Sequence, residues 1–93
     1  MLSWFNYYEK EYVEYPIDIT KKDEIVNKVI DYAKDSDYNY LDIDGVRIEF
    51  EDGFALIRGS NTQPILTLRF EANSKVRLDE IKREFMGLID SLV

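Results

Sequence analysis

Apolar side chains recur along this chain at two spacings, and the switches between them mark out the elements. From Tyr12 the run Tyr-Val-Glu-Tyr-Pro-Ile-Asp-Ile predicts a strand, and Pro16, which cannot donate to a ladder, puts that strand at a sheet edge. Ile25, Val26, Val29, Ile30 and Ala33 then return at helical spacing, with Thr20 read as the N-cap and Asp23 and Glu24 in the first turn. Asp35-Ser36-Asp37 and Asn39 end the helix. Strict alternation follows: Val46, Ile48 and Phe50 inward, Arg47 and Glu49 outward. Glu51-Asp52-Gly53 supplies hairpin chemistry, and residues 54–57 form a strand apolar on both faces. Residues 65–72 form another, with Leu66, Leu68 and Phe70 on one face and Thr67, Arg69 and Glu71 on the other. Asn73 or Ser74 caps a last helix with the stripe Ile81, Phe85, Leu88, Ile89 and Leu92. The predicted fold class is α+β, an antiparallel sheet of about four strands with two helices packed on one face.

Composition narrows the function classes. Ninety-three residues make one domain. The formal net charge of −7 repels phosphate backbones and anionic lipid heads, so neither nucleic acid nor a membrane is expected as a partner. Seven tyrosines and five phenylalanines could stack on bases, but no basic groove accompanies them. Without cysteine there is no disulfide framework or thiolate metal site, and without histidine the commonest acid–base group is missing. The start Met1-Leu2-Ser3-Trp4 does not read as a leader, no apolar run is long enough to span a bilayer, and a cytoplasmic location is the default expectation.

One segment breaks the pattern. Arg58-Gly59-Ser60-Asn61-Thr62-Gln63-Pro64 joins two apolar strands where a two-residue turn would suffice. Arg58 offers a planar fork matched to phosphate oxygens, Ser60 and Thr62 offer hydroxyls, and Asn61 offers an amide. Gly59 allows close backbone approach, and Pro64 fixes the exit. These are also ordinary turn residues, so pattern alone leaves a phosphate site and a plain connecting turn both open. The phosphate reading requires Arg58 to be available and Ser60 and Thr62 not to be spent on the backbone.

The string Asp44-Gly45-Val46-Arg47-Ile48-Glu49-Phe50, then Asp52-Gly53, the 58–64 loop, and Leu68-Arg69-Phe70-Glu71-Ala72 resembles the C-terminal domain of α-D-phosphohexomutases. Asn61 matches the phosphomannomutase/phosphoglucomutase branch, while Gly59 stands where alanine or proline is usual and Gln63 where glutamate is common. The resemblance implies a fold like one repeat of the TATA-binding protein. It also implies a substrate-phosphate site made by Arg58, Gly59, Ser60, Asn61 and Thr62, with no catalytic residue in this chain. Family members move a phosphoryl group between an active-site phosphoserine and a hexose phosphate with the help of Mg²⁺. The implied partners are therefore mannose or glucose phosphates and the preceding domains of the same polypeptide. The serine, metal and sugar loops of the family do not occur in the sequence, so the chain alone is expected to be inactive.

Asp42-Ile43-Asp44-Gly45-Val46-Arg47 imitates the family's metal loop, but its third carboxylate position is Val46, and no metal site is expected. Arg69 lies about 16 Å of extended strand beyond Pro64, which marks it, like Arg47, as an ion-pair or interdomain residue. Residues 1–11, with Trp4, Phe5, Tyr7 and Tyr8, are read as linker and interdomain segment, and residues 12–93 as the domain. A different reading makes the chain a non-enzymatic interaction module that binds a protein through this aromatic N-terminus.

Overall fold

The structure, a computed structural model, describes residues 9–93. The aromatic segment with Trp4, Phe5, Tyr7 and Tyr8 lies outside the described residues. Strand β1 (Glu9–Pro16) leads through a 3₁₀ turn (Ile19–Lys21) into helix α1 (Lys22–Asp35). Strands β2 (Asn39–Leu41), β3 (Val46–Phe50), β4 (Gly53–Gly59) and β5 (Ile65–Ala72) follow, and helix α2 (Lys75–Leu92) closes the chain. The sheet is antiparallel throughout, in the order β1-β5-β4-β3-β2.

Alternation decides which face of the sheet is covered. Val13, Leu68, Ile57 and Val46 share one rung across four strands, and Phe70, Ala55 and Ile48 share the next. These inward residues of β3, β4 and β5 meet Ile25, Val29 and Ala33 of α1 and Leu78, Ile81, Phe85 and Ile89 of α2 in one core. Burying each of the Val, Leu, Ile and Phe side chains among them stabilises the fold by about 1.5–3 kcal/mol. Both helices lie on this side, and the other sheet face carries neither. The α+β sandwich expected from the sequence is present.

Four local details differ from the sequence reading. Strand β2 is a fifth strand; at three residues it is too short to show an alternation. Strand β1 starts at Glu9 rather than Tyr12, and its antiparallel pairing with β5 alone makes it the edge that Pro16 implies. The capping side chain is Asp18, not Thr20, and it caps the 3₁₀ turn: its Oδ1 accepts the Thr20 N–H at 3.0 Å and the Thr20 hydroxyl at 2.8 Å, while α1 itself starts after Lys21 with no side-chain cap bond. The β3–β4 turn uses only Glu51 and Asp52, because Gly53 already pairs with Phe50. Gly53 is required by packing: a Cβ there would run into the Glu71 carbonyl and lie 2.9 Å from Ile81 Cδ1.

Helix α1 ends in a Schellman arrangement, with Asp37 N–H on Lys34 C=O and Tyr38 N–H on Ala33 C=O. Asp37 takes the left-handed position at φ 60°. This turn delivers Tyr38 beside Tyr32, and both hydroxyls donate to Glu84 Oε2 at 2.7 Å, tying α1 to α2. The hydrogen bond to that carboxylate, aided by burial and its charge, pushes the Tyr38 pKa up to about 12 and that of Tyr32 upward as well. A hydroxyl that holds its proton more tightly when folded stabilises the protein fully below pH 10, and that contribution disappears as pH rises towards 12. Urea unfolding at pH 9 and pH 11.5 should show a smaller loss of stability in Tyr38→Phe than in the wild type. Equal losses would refute this account of the pair.

Candidate functional site

The helix-free sheet face carries the chemistry. Its side chains form rungs in which Arg47, Leu56, Arg69 and Tyr12 lie side by side, as do Glu49, Phe54, Glu71 and Lys10. Arg47 stacks on Phe54 at 3.9 Å and bonds Glu49 at 3.1 Å, and Arg69 bonds the nearly buried Glu71 at 2.8 Å. The ion-pair reading of both arginines therefore holds. The distance argument about Arg69 does not, because β5 runs back along β4 and sets Arg69 opposite Leu56, two residues from Arg58. Lys10, Tyr12, Leu56, Arg58, Ser60, Asn61 and Arg69 consequently border one open cleft of about 650 Å³.

The 58–64 loop closes one end of this cleft. Arg58, in the last turn of the β4 ladder, points outward, and its Nη2 lies 2.9 Å from Asp44 Oδ2. The guanidinium is 50% exposed and the carboxylate 70%, so the pair adds only about 0–1 kcal/mol and yields readily to a better-charged anion. Asp44 reaches this place because Asp44 (φ 53°) and Gly45 (φ 108°) turn tightly against the Arg58 backbone. Its role here is arginine partner, and the donor set does not suit Mg²⁺. Val46 is fully buried, and among the described residues no three His, Cys, Asp or Glu side chains cluster to hold a metal.

Ser60 is used differently from the sequence reading. Its Oγ accepts the N–H groups of Thr62 at 3.3 Å and Gln63 at 3.2 Å, a local turn that shapes the loop from within. An accepting hydroxyl still has its own proton to donate. The loop is anchored further by Ser60 N–H on Ile65 C=O and Ile17 N–H on Pro64 C=O. Asn61 and Thr62 are exposed. Among the described residues, the Asn61 N–H, the Asn61 side-chain amide and the Thr62 hydroxyl have no hydrogen-bond partner. Arg58, Gly59, Ser60 and Asn61 are thus brought together at the cleft, while Thr62, next along the loop, does not line it. Arg58 is lightly engaged, and Ser60 is turned to the backbone as acceptor only.

Sequence reasoning missed the role of two neighbours. Lys22, at the start of α1, lays its stem where a Gly59 Cβ would be and donates from Nζ to the Ser60 carbonyl at 3.2 Å. A contact spanning 38 positions leaves no local pattern. Asp44 carried a weak signal, as an Asp before Gly, but that signal speaks only of a turn.

The layered α+β domain with a donor-rich loop at one end of an open sheet face is a known construction. The sequence profile described as "Phosphoglucomutase/phosphomannomutase, C-terminal domain" matches residues 13–88, and the chain belongs to that family. It is 45% identical over 76 residues to the phosphomannomutase/phosphoglucomutase of Pseudomonas putida, covering 77% of this chain and 16% of that protein. It is 51% identical over 51 residues to the phosphoglucomutase of Neisseria meningitidis serogroup A, covering 55% and 11% respectively. The crystal structure of a phosphoglucomutase/phosphomannomutase family protein from Burkholderia thailandensis superposes with a TM-score of 0.68 at 32% identity, over 89% of this chain and 18% of that one. The chain thus spans less than a fifth of the length of these relatives.

Proposed function

We propose that this domain holds the non-reacting phosphate of a hexose phosphate during intramolecular phosphoryl transfer by a phosphomannomutase/phosphoglucomutase. Arg58 is the charged clamp, Ser60, Asn61 and Thr62 are the neutral donors, and Gly59 lets the backbone come close. The observation that carries the reading is the joint placement of an exposed, lightly paired arginine and the unpartnered donors of Asn61 beside one cleft. Binding energy from a remote phosphate positions the reacting end of the sugar. Closure of a hinged domain over the cleft would exclude water from a phosphoenzyme. The serine, sugar and Mg²⁺ chemistry belongs to other domains of a full-length mutase, and this chain alone turns nothing over.

Amide-shift mapping while titrating glucose 6-phosphate tests the reading. Residues 60–63 should move, with a dissociation constant on the order of millimolar, since one arginine works against an acidic surface. Arg58→Ala should weaken binding about tenfold or more, the worth of a charge-assisted hydrogen bond, and leave the fold intact. Shifts that avoid the loop would sink the proposal. Shifts near residues 1–12, appearing only with a protein partner, would favour the interaction-module reading instead.

A further inference from the structure

We propose that Lys22 is a positioning residue of this anion site, aiming the Asn61 backbone N–H into the cleft; the inference rests on the phosphate reading above. Arg58 and Gly59 are consecutive in a strand, so they face opposite sides of the sheet. Arg58 looks into the open cleft, and Gly59 looks towards the helix layer. There a Cβ on Gly59 would overlap Lys22 Cγ and Cδ and sit 3.1 Å from Cε. Only glycine leaves room for the lysine stem to cross behind the loop. The ammonium then holds the Ser60 carbonyl at 3.2 Å.

In a trans peptide the carbonyl and the following N–H point in opposite directions, and the described residues contain no cis bond. A Ser60 C=O drawn towards Lys22 therefore turns the Asn61 N–H away from the helices, towards the cleft that Arg58 borders. Of the N–H groups at 60–63, those of Ser60, Thr62 and Gln63 are already taken by Ile65 C=O and Ser60 Oγ. The Asn61 N–H is the one left for a ligand. Lys22 also adds positive charge behind the loop, on the side away from Arg58, where the chain is otherwise strongly acidic. The freedom of Gly59 is thus used to seat a lysine rather than to let the loop move.

The test is an amide-shift titration of the whole 93-residue chain with inorganic phosphate. Lys22→Met keeps the stem and removes the ammonium. It should weaken phosphate binding about three- to tenfold and shrink the phosphate-induced shift of the Asn61 amide. Its melting temperature should barely move, as for a substitution at a half-exposed site. Lys22→Arg should recover most of the affinity. Gly59→Ala, which evicts the stem, should weaken binding as Lys22→Met does, and the double variant should be no weaker than either single one. If Lys22→Met binds like the wild type while Arg58→Ala does not, Lys22 is only packing and the inference falls alone. If phosphate moves none of residues 60–63 in the unsubstituted chain, the inference and the proposed function fall together.

Discussion

Gly45→Ala should lower the melting temperature by about 8–40 °C and abolish phosphate binding in whatever fraction stays folded. Gly45 has φ 108°, a region that L residues occupy at a cost of about 1–2 kcal/mol. A Cβ there would also lie 2.5 Å from the Ile57 carbonyl oxygen, 2.7 Å from Arg58 Cβ and 2.9 Å from Arg58 Cα. Those are central-strand atoms that cannot swing aside, and overpacking of that kind costs a further 1–3 kcal/mol or about that. The sum, about 2–5 kcal/mol, is a large share of a small domain's stability, and each kcal/mol is worth about 4–8 °C at this size. The site suffers as well. Relief requires the Asp44-Gly45 turn and β4 to move apart, which shifts the strand end that presents Arg58 and the loop. Gly87→Ala is the natural control. Nothing lies within 4 Å of a Cβ at that exposed helical position, so alanine should stabilise by about 0.5–1 kcal/mol. Melts by far-ultraviolet circular dichroism would check both. A Gly45→Ala protein melting within 3 °C or so of the wild type would contradict the strain argument.

The same glycine shows where sequence reasoning stops. Hydrophobic period located the helices, four of the five strands and the layer order, and Val46, Ile48, Leu66, Leu68 and Phe70 are buried where alternation puts them. Periodicity reports burial, and burial is what drives those elements together. It says nothing about register, so Arg69 looked remote from the loop that it borders. Turn chemistry was legible as turns but not as purpose. Gly53 read as a hairpin residue, whereas it admits the Glu71 carbonyl, and Gly45, at the head of the alternating run, admits the Arg58 backbone. Ser60 was legible as a polar loop residue, but the direction of its hydrogen bonds was not, since a hydroxyl donates or accepts according to neighbours that only the folded loop supplies. Lys22 shows the largest gap, because it meets Ser60 only once α1 has crossed the sheet.

The construction has a physical logic that links the core to the loop. Helix α1 carries Lys22 at its first turn, and its far end is held by the Tyr32 and Tyr38 bonds to Glu84 of α2. The position of Lys22 behind the loop therefore depends on how α1 is clamped between α2 and the sheet. The shape of an exposed polar loop is in this way supported from the buried layer.

Phe85→Ala should remove more stability than any surface change in this chain, about 3–5 kcal/mol. Phe85 is fully buried on α2, edge-on to Tyr32 with ring centroids 6.0 Å apart and tilted against Phe50 at 6.3 Å. Tyr38 closes the group, 5.0 Å from Phe50 and 6.2 Å from Tyr32. The four rings join both helices to β3, so truncating Phe85 opens a cavity where three elements meet and also forfeits the edge-to-face contacts. A 93-residue domain has roughly 5–14 kcal/mol in total, which puts Phe85→Ala near the limit of folding at 37 °C. Phe85→Leu fills most of the volume and should cost about 1–2 kcal/mol. Urea titrations followed by tryptophan-independent circular dichroism would measure both, with the midpoint falling and the slope unchanged if the unfolded state is not altered. Phosphate affinity of the folded Phe85→Leu protein should match the wild type, because none of the four rings lines the cleft. A loss below about 1.5 kcal/mol for Phe85→Ala would mean that the cluster collapses onto the gap, and that α1 is held by Glu84 and its tyrosines more than by the packed rings.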